Sequence, residues 1–489
     1  MHSSTASRRL AGLASLLLLA ASLVGPPGSA AQAAPGIAPP GNQALADRLA
    51  AAVTGDAVYR HLAALQLIAD VSGGNRAWDR VGFTRSADYV SSLLTAAGYR
   101  VVKQTVPYTN FEISTERLTV TGAAVNSPPV LMTRFAPSTP AGGIDAPVVS
   151  PAVGRTGCDA SDYAGLPVAG SVVVLARAAC GYSLQQRIAA GLGARAVLLY
   201  YDTPSPENSY RFFAFNPADF TIPVASVSQR DGEELVRASR VGTVRVHLTL
   251  VGRSVARTTV NVLAETAGGD PNNVVLLGAH LDSVPEGPGI NDNGSTAATV
   301  LQAALALAGQ QHSVQNKVRF AWWGAEEMID VGSGYYVSTL SAKERQRIAA
   351  VLNGELIAAP NDARFVWDPG TGGSHVIADL FGGYFDRRGL PYQRTGPESV
   401  GSDHLMFQDV GIPVGGLDGG NLGVKTPAQQ ALFGGTAGQM FDHCYHQTCD
   451  SLTNINRKAL GANAPALAWV LGRLASDVRD VRAASTTAG

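Results

Sequence analysis

Cysteine is scarce: four residues in a chain of 489, far below what a disulfide-built scaffold needs. Neither sign of charge is in excess, with 37 basic against 38 acidic residues, so neither nucleic acid nor an anionic membrane surface is an expected partner. Internal repeats and low-complexity tracts are absent, which sets aside solenoid, collagen-like and disordered classes. Long apolar runs are missing as well, except for Leu10 to Val24, and that run falls short of the roughly 20 residues a spanning helix requires.

That one run reads instead as a signal peptide, 1–34. Arg8 and Arg9 precede it, Pro26-Pro27 and small residues follow, and cleavage is expected between Ala30 and Ala34. The paired arginines leave twin-arginine export open. Two arginines leave with the signal, so 35 basic residues face 38 acidic ones and the mature net charge is −3. A secreted, extracellular protein oxidises its cysteines. Four cysteines allow three pairings; proximity favours Cys158 with Cys180 and Cys444 with Cys449. A Cys/His zinc site built from Cys444, Cys449, His443 and His446 is the competing reading.

At this length two domains are expected. Helical periodicity over Asn42 to Asp70 and Ser86 to Ala97, followed by an alternating strand Tyr99 to Tyr108, opens an α/β unit. The texture changes at Thr133 to Ala146, which holds two prolines and two glycines, and the next hundred residues read as a smaller insertion ending near Arg253. Beyond Val255 strands and helices alternate, which predicts a mainly parallel mixed sheet sandwiched between helices, with ligands at the carboxyl ends of its strands.

Four stretches carry chemistry. Val274-Val275-Leu276-Leu277 reads as a buried strand, so His280 and Asp282 emerge at its end and Asp292 lies in the loop beyond. An imidazole with carboxylates suits a divalent zinc ion, and one carboxylate can bridge two ions. Trp322-Trp323-Gly324-Ala325-Glu326-Glu327 places two glutamates at another strand end, where adjacent side chains diverge; one could bind metal while the other works on water. Glu355, in an otherwise apolar strand, needs a partner if buried. Phe441 to Asp450 brackets Tyr445 and His446 between two cysteines, whose bridging would make that loop rigid.

GAHLDSV, Asn291 to Ser295, WWGAEE, the strand carboxylate after Asn353, and CYHQTCDSLTNIN together resemble the co-catalytic di-zinc aminopeptidases of metallopeptidase family 28. The nearest branch is the secreted bacterial leucyl type, extended by a protease-associated domain as in aminopeptidase Y. SGGNRAW and IPVGGL also fit, so the resemblance spans nearly all of the mature chain. It implies a zinc-exopeptidase fold over 35–140 and 252–489, with a smaller, β-rich α/β protease-associated domain inserted at 141–251. It also implies two zinc ions per chain. Asp292 would bridge them, His280 and Glu355 completing one and Glu327 and His446 the other. Asp282 would accept the second ring N–H of His280, Glu326 would be the general base, and Tyr445 would donate to the developing oxyanion. A cis peptide bond after Asp292 is a further feature of relatives.

The expected reaction is removal of an apolar amino-terminal residue from a peptide with a free amine, by a monomer, with Glu326 and Glu355 facing the α-ammonium. Carboxypeptidase and glutaminyl cyclase activities on the same scaffold are alternatives, as is a receptor or binding module without catalysis. Two positions depart from the family pattern. Relatives commonly have aspartate where Glu355 stands, which would weaken that zinc site. They commonly have arginine where Gly401 stands, which would remove a substrate contact. His404 reads as a pocket residue or, equally, as a helix-start residue.

Overall fold

A computed structural model describes residues 41–486 apart from 215 and 400; the expected signal peptide lies outside them. Among the described residues no helix is long and apolar enough to cross a membrane. The strands, in chain order, are β1 (Arg100–Thr121), β2 (Leu131–Met132), β3 (Ile144–Val149), β4 (Val172–Ala176), β5 (Ala196–Tyr200), β6 (Val224–Ser226), β7 (Arg245–Glu265), β8 (Asp270–His280), β9 (Asn316–Trp323), β10 (Ile348–Glu355), β11 (Phe365–Trp367), β12 (Gln393–Thr395) and β13 (Val414–Asp418).

The order β12-β11-β13-β10-β8-β9-β7 makes the larger sheet. Its four central strands, β13, β10, β8 and β9, run parallel, while β7 and β11 flank them antiparallel. Parallel strands covered on both faces are apolar throughout, and β8 shows why. Val275, Leu277 and Ala279 face one core with helices Gly41–Ala52, Gly55–Asp70, Gly294–Leu307 and Arg457–Ser476. Val274 and Leu276 face the other, against Trp323, Tyr336 and Phe407. The sheet is therefore sandwiched between helices. Because β8, β9 and β10 are parallel neighbours, His280, the turn after Trp323 and Glu355 all leave at one edge.

The helical stretch expected over Asn42 to Asp70 is two helices. Thr54 has extended backbone and its hydroxyl accepts from the N–H of Ala57, so it caps the second helix and ends the first.

A smaller sheet, β3-β4-β5-β6-β2, carries helices Tyr182–Gly191 and Gln229–Val241. It joins the larger one through a two-stranded ribbon, because β1 pairs with β7 from Arg100 with Glu265 to Thr121 with Arg245. One end of β7 pairs with β9 and the other with β3. Phe111, Leu118, Val130 and Met132 share a core with Val172, Leu198 and Leu248, so the smaller body also draws on residues that precede 141.

Candidate metal centre

Each residue here is placed by an element end. His280 closes β8, Glu355 closes β10, and Glu326 and Glu327 sit in a short 3-10 turn, Glu326–Met328, after β9. Asp292 lies in the loop between β8 and helix Gly294–Leu307. His446 belongs to the loop closed by the Cys444–Cys449 disulfide, and Cys158 is bonded to Cys180. Oxidation removes the thiolates from the group that Cys444 and Cys449 form with His443, so that alternative zinc site falls.

Two triads share one carboxylate. His280 Nε2 lies 3.4 Å from Asp292 Oδ1 and 3.6 Å from Glu355 Oε2. His446 Nε2 lies 3.2 Å from Asp292 Oδ2 and 3.1 Å from Glu327 Oε2. Glu326 Oε2 stands 3.7 Å from His280 Nε2. All these side chains are buried or nearly so, His446 being the most open at 23% exposed.

Charge at this edge is unbalanced. Burial opposes protonation of His280, yet Glu326 and Glu355 outweigh it and hold the imidazole well above its ordinary pKa. His446 is raised the same way against burial, by Glu327 and Asp292. Burial pushes the Glu326 carboxyl well up, with His280 opposing and Asp330 and Glu355 adding to it. Four carboxylates thus confront two imidazoles. Glu327 Oε1 is sealed from solvent with no hydrogen bond, which is costly unless a cation takes its lone pairs, and the equally sealed Asp292 Oδ2 has only the His446 ring nitrogen at 3.2 Å. Carboxylate and imidazole donors at these separations fit divalent zinc.

The loop bearing Asp292 is held on both sides. Asp450 accepts the backbone N–H of Asn291 (2.8 Å) and Asp292 (3.0 Å), and Asp442 accepts the Asn291 amide at 2.6 Å. The peptide bond between Asp292 and Asn293 is cis, and the Asn293 amide donates to the Gly354 carbonyl at 2.7 Å. On the other side the fully buried Arg76 donates to three carbonyls of the same loop: Leu281, Pro288 (2.9 Å) and Gly289 (2.5 Å). Gly289 has φ 61°, and a side chain there would run into the Asp292 carbonyl, so glycine is required.

Asp282 differs from its expected role. His280 Nδ1 faces the backbone carbonyl of Asp282 at 3.1 Å, whereas its distance to Oδ1 is 3.8 Å. The carboxylate instead accepts the backbone N–H of Glu326 and of Glu327, each at 3.2 Å. The reason is local: the turn after β9 exposes two unpaired N–H groups beside it, and an anionic acceptor is favoured there. Burial pushes this carboxyl up to about 6. The turn needs such a tether, since Ala325, Ile329 and Asp330 all have positive φ (62°, 69° and 52°), a costly conformation for side-chain-bearing residues.

Tyr445 stacks on the His446 ring at 3.8 Å between centroids, and burial keeps its phenol protonated. His404 lies outside the cluster, stacked on Trp367 and bonded to the Pro397 carbonyl. Sequence reasoning assigned no role to Arg76, Asp442 or Asp450. The sole signal was the place of Arg76 in SGGNRAW and of Asp450 in CYHQTCD, where it adjoins a bridged cysteine; Asp442 stands two residues before that second motif.

The family models for peptidase family M28 and the PA domain match residues 261–470 and 144–235. An aminopeptidase from Pseudomonas aeruginosa is 37% identical over 87% of this chain and 81% of its own length. The probable lipoprotein aminopeptidase LpqL of Mycobacterium tuberculosis is 38% identical over 87% and 86%. Among solved structures, a zinc aminopeptidase from Bacillus subtilis superposes with a TM-score of 0.65 at 22% identity, covering 85% of this chain and 94% of that one, a likeness of fold. With relatives this similar along most of its length, the chain belongs to peptidase family M28 and carries an inserted PA domain.

Proposed function

We propose that this chain, an M28 aminopeptidase, works with two zinc ions and removes apolar amino-terminal residues from peptides, as an exported monomer. One observation carries the reading: the two oxygens of Asp292 turn to His280 on one side and His446 on the other, with Glu355 and Glu327 completing the triads. When bound, zinc supplies Lewis acidity toward a scissile carbonyl and makes water acidic enough to react near neutral pH.

The protein's own groups do the rest. Glu326, raised by burial, takes a proton from the attacking water at Oε2 and delivers it to the departing amine nitrogen. Glu355 and Glu326 together attract the α-ammonium of the substrate, which selects a free amino terminus. Tyr445, a neutral phenol fixed by stacking on His446, donates a hydrogen bond to the developing oxyanion. The body inserted at 141–251 narrows access, since Gln447 reaches the Ser209 carbonyl and Asn208 reaches that of His443. Two disulfides support export.

The test is hydrolysis of amino-acyl anilides by the mature protein, with and without chelator, alongside metal content. Turnover lost to chelator, absent on acetylated amines and restored at two zinc ions per chain is the expected result. Full turnover with one ion per chain, or on acetylated substrates, overturns it.

A further inference from the structure

Between the two bodies lies a cavity of about 690 Å³, walled by Trp78, Glu116, Arg134, Arg211 and Glu286 among others. A second space of about 20 Å³, a throat that reaches Glu327 and His446, shares Trp78, Pro285 and Glu286 with its wall. Arg134 and Arg211 line both spaces, so they stand where the metal centre opens into the cavity.

The charges around this space are mostly paired. Arg80 meets Asp79 at 3.2 Å and Arg253 meets Glu112 at 3.0 Å. Arg211 is gripped by Glu116 at 2.8 and 3.0 Å and by Glu286 at 3.0 Å. Arg134 is the exception. It is 6% exposed and its guanidinium lies over Trp78 at 4.8 Å and Phe213 at 5.7 Å. It gives one hydrogen bond, to the Phe111 carbonyl at 3.1 Å, and among the described residues no carboxylate comes within ion-pair distance. Glu286, Asp79 and Glu116 act on it only from beyond contact, with Arg211 opposing them, so a buried guanidinium with a planar fork of N–H groups is left able to take a carboxylate in direct contact.

Which end of a peptide it meets follows from charge. The α-ammonium is drawn to Glu326 and Glu355, whereas the unpaired guanidinium of Arg134 favours an anion. The chain beyond the scissile bond therefore runs past His446 toward the throat, and in a short peptide it ends there in a carboxylate. We infer that Arg134 binds the C-terminal carboxylate of short peptide substrates, making the interdomain throat a site for the leaving end. This rests on the aminopeptidase reading and adds a substrate class to it: short peptides with both termini free.

The experiment compares kcat/KM for leucyl di-, tri-, tetra- and pentapeptides, each with a free or an amidated C terminus, on the zinc-loaded full chain. Leucyl anilide turnover reports the active fraction. The expected result is a penalty for amidation on the order of tenfold at one short length, as for a charge-assisted bond, fading as the terminus passes beyond Arg134. Arg134→Met brings the free-to-amide ratio near one. A wild-type enzyme indifferent to amidation at every length overturns the proposal, and that arm needs no variant to fold. So does a penalty that survives in Arg134→Met. Absence of turnover on every amine-bearing substrate, anilide included, is instead a failure of the aminopeptidase reading.

Discussion

Replacing Asp282 with asparagine removes one charge and almost no volume, and the structure fixes what should follow. The carboxylate is fully buried and accepts two backbone N–H groups, from Glu326 and Glu327, each at 3.2 Å. An amide keeps one acceptor and turns an NH2 group toward the other N–H. Losing one bond to a charged group and stranding its donor costs about 2–4 kcal/mol. That cost falls on a turn already holding three residues at positive φ, and the turn carries both the proposed base and a proposed zinc ligand. If the full cost reaches the transition state, kcat/KM on leucyl anilide drops roughly 30- to 1,000-fold. The pattern of metal loss discriminates further. His280 Nδ1 bonds to the backbone carbonyl of Asp282, which the substitution leaves in place. Zinc titration of Asp282→Asn should therefore resemble that of His446→Ala, with weakening at the ion held by Glu327 and His446. Activity and both affinities within twofold of wild type would refute the tether, as would a loss confined to the ion of His280 and Glu355.

Arg76→Met strands the buried Leu281 and Pro288 carbonyls and leaves that of Gly289 with the Gly294 N–H alone; at about 1–3 kcal/mol for each stranded acceptor, urea denaturation should show a loss of roughly 2–6 kcal/mol, and a loss below about 1 kcal/mol contradicts the role given to Arg76. Cys444→Ser with Cys449→Ser opens a loop of sequence separation 5, worth about 2 kcal/mol in the chain-entropy model. The same change frees His446, so zinc affinity should fall along with stability, and an unchanged affinity would show that the loop is rigid without its bridge. His61, bonded to Tyr89 and Gln302, is lowered by burial to about 4. The unfolded chain binds the proton first, near pH 6.5, so stability is complete above that pH and declines as pH falls toward 4, by up to about 3 kcal/mol from this group. His61→Gln should flatten that window relative to wild type in urea midpoints at pH 7 and pH 5; parallel pH profiles would exclude it.

Much of the sheet edge was legible because short apolar runs ending in Gly or Pro announce buried strands. Val274 to Leu277, Lys317 to Trp322 and most of Ala349 to Ile357 lie in parallel neighbours, so residues at their ends had to converge. The direction of a single carboxylate was not legible. Asp282 turns to N–H groups 44 and 45 residues downstream, and no local pattern records which donors a turn leaves unpaired. The limits of the inserted body were hidden for a related reason. Alternation over Tyr99 to Tyr108 reads as one ordinary strand, whereas β1 continues to Thr121 because β7 accompanies it along its whole length. The chain passes from one body to the other inside two unbroken strands, so no linker marks the passage.

Glu355 brings these points together. By sequence alone, a glutamate where relatives commonly have aspartate reads as a defect, because the extra methylene must displace either the carboxylate or the ion. In the folded chain this carboxylate is held from another loop. Ser402 donates its hydroxyl to Glu355 Oε1, and the Asn353 amide donates to the same hydroxyl at 3.0 Å. That pair fixes one oxygen and leaves Oε2 facing His280 at 3.6 Å. Ser402 adjoins Gly401, the other departure from the family pattern, and lies 47 residues from Glu355. The longer carboxylate is thus seated by a serine from a different loop.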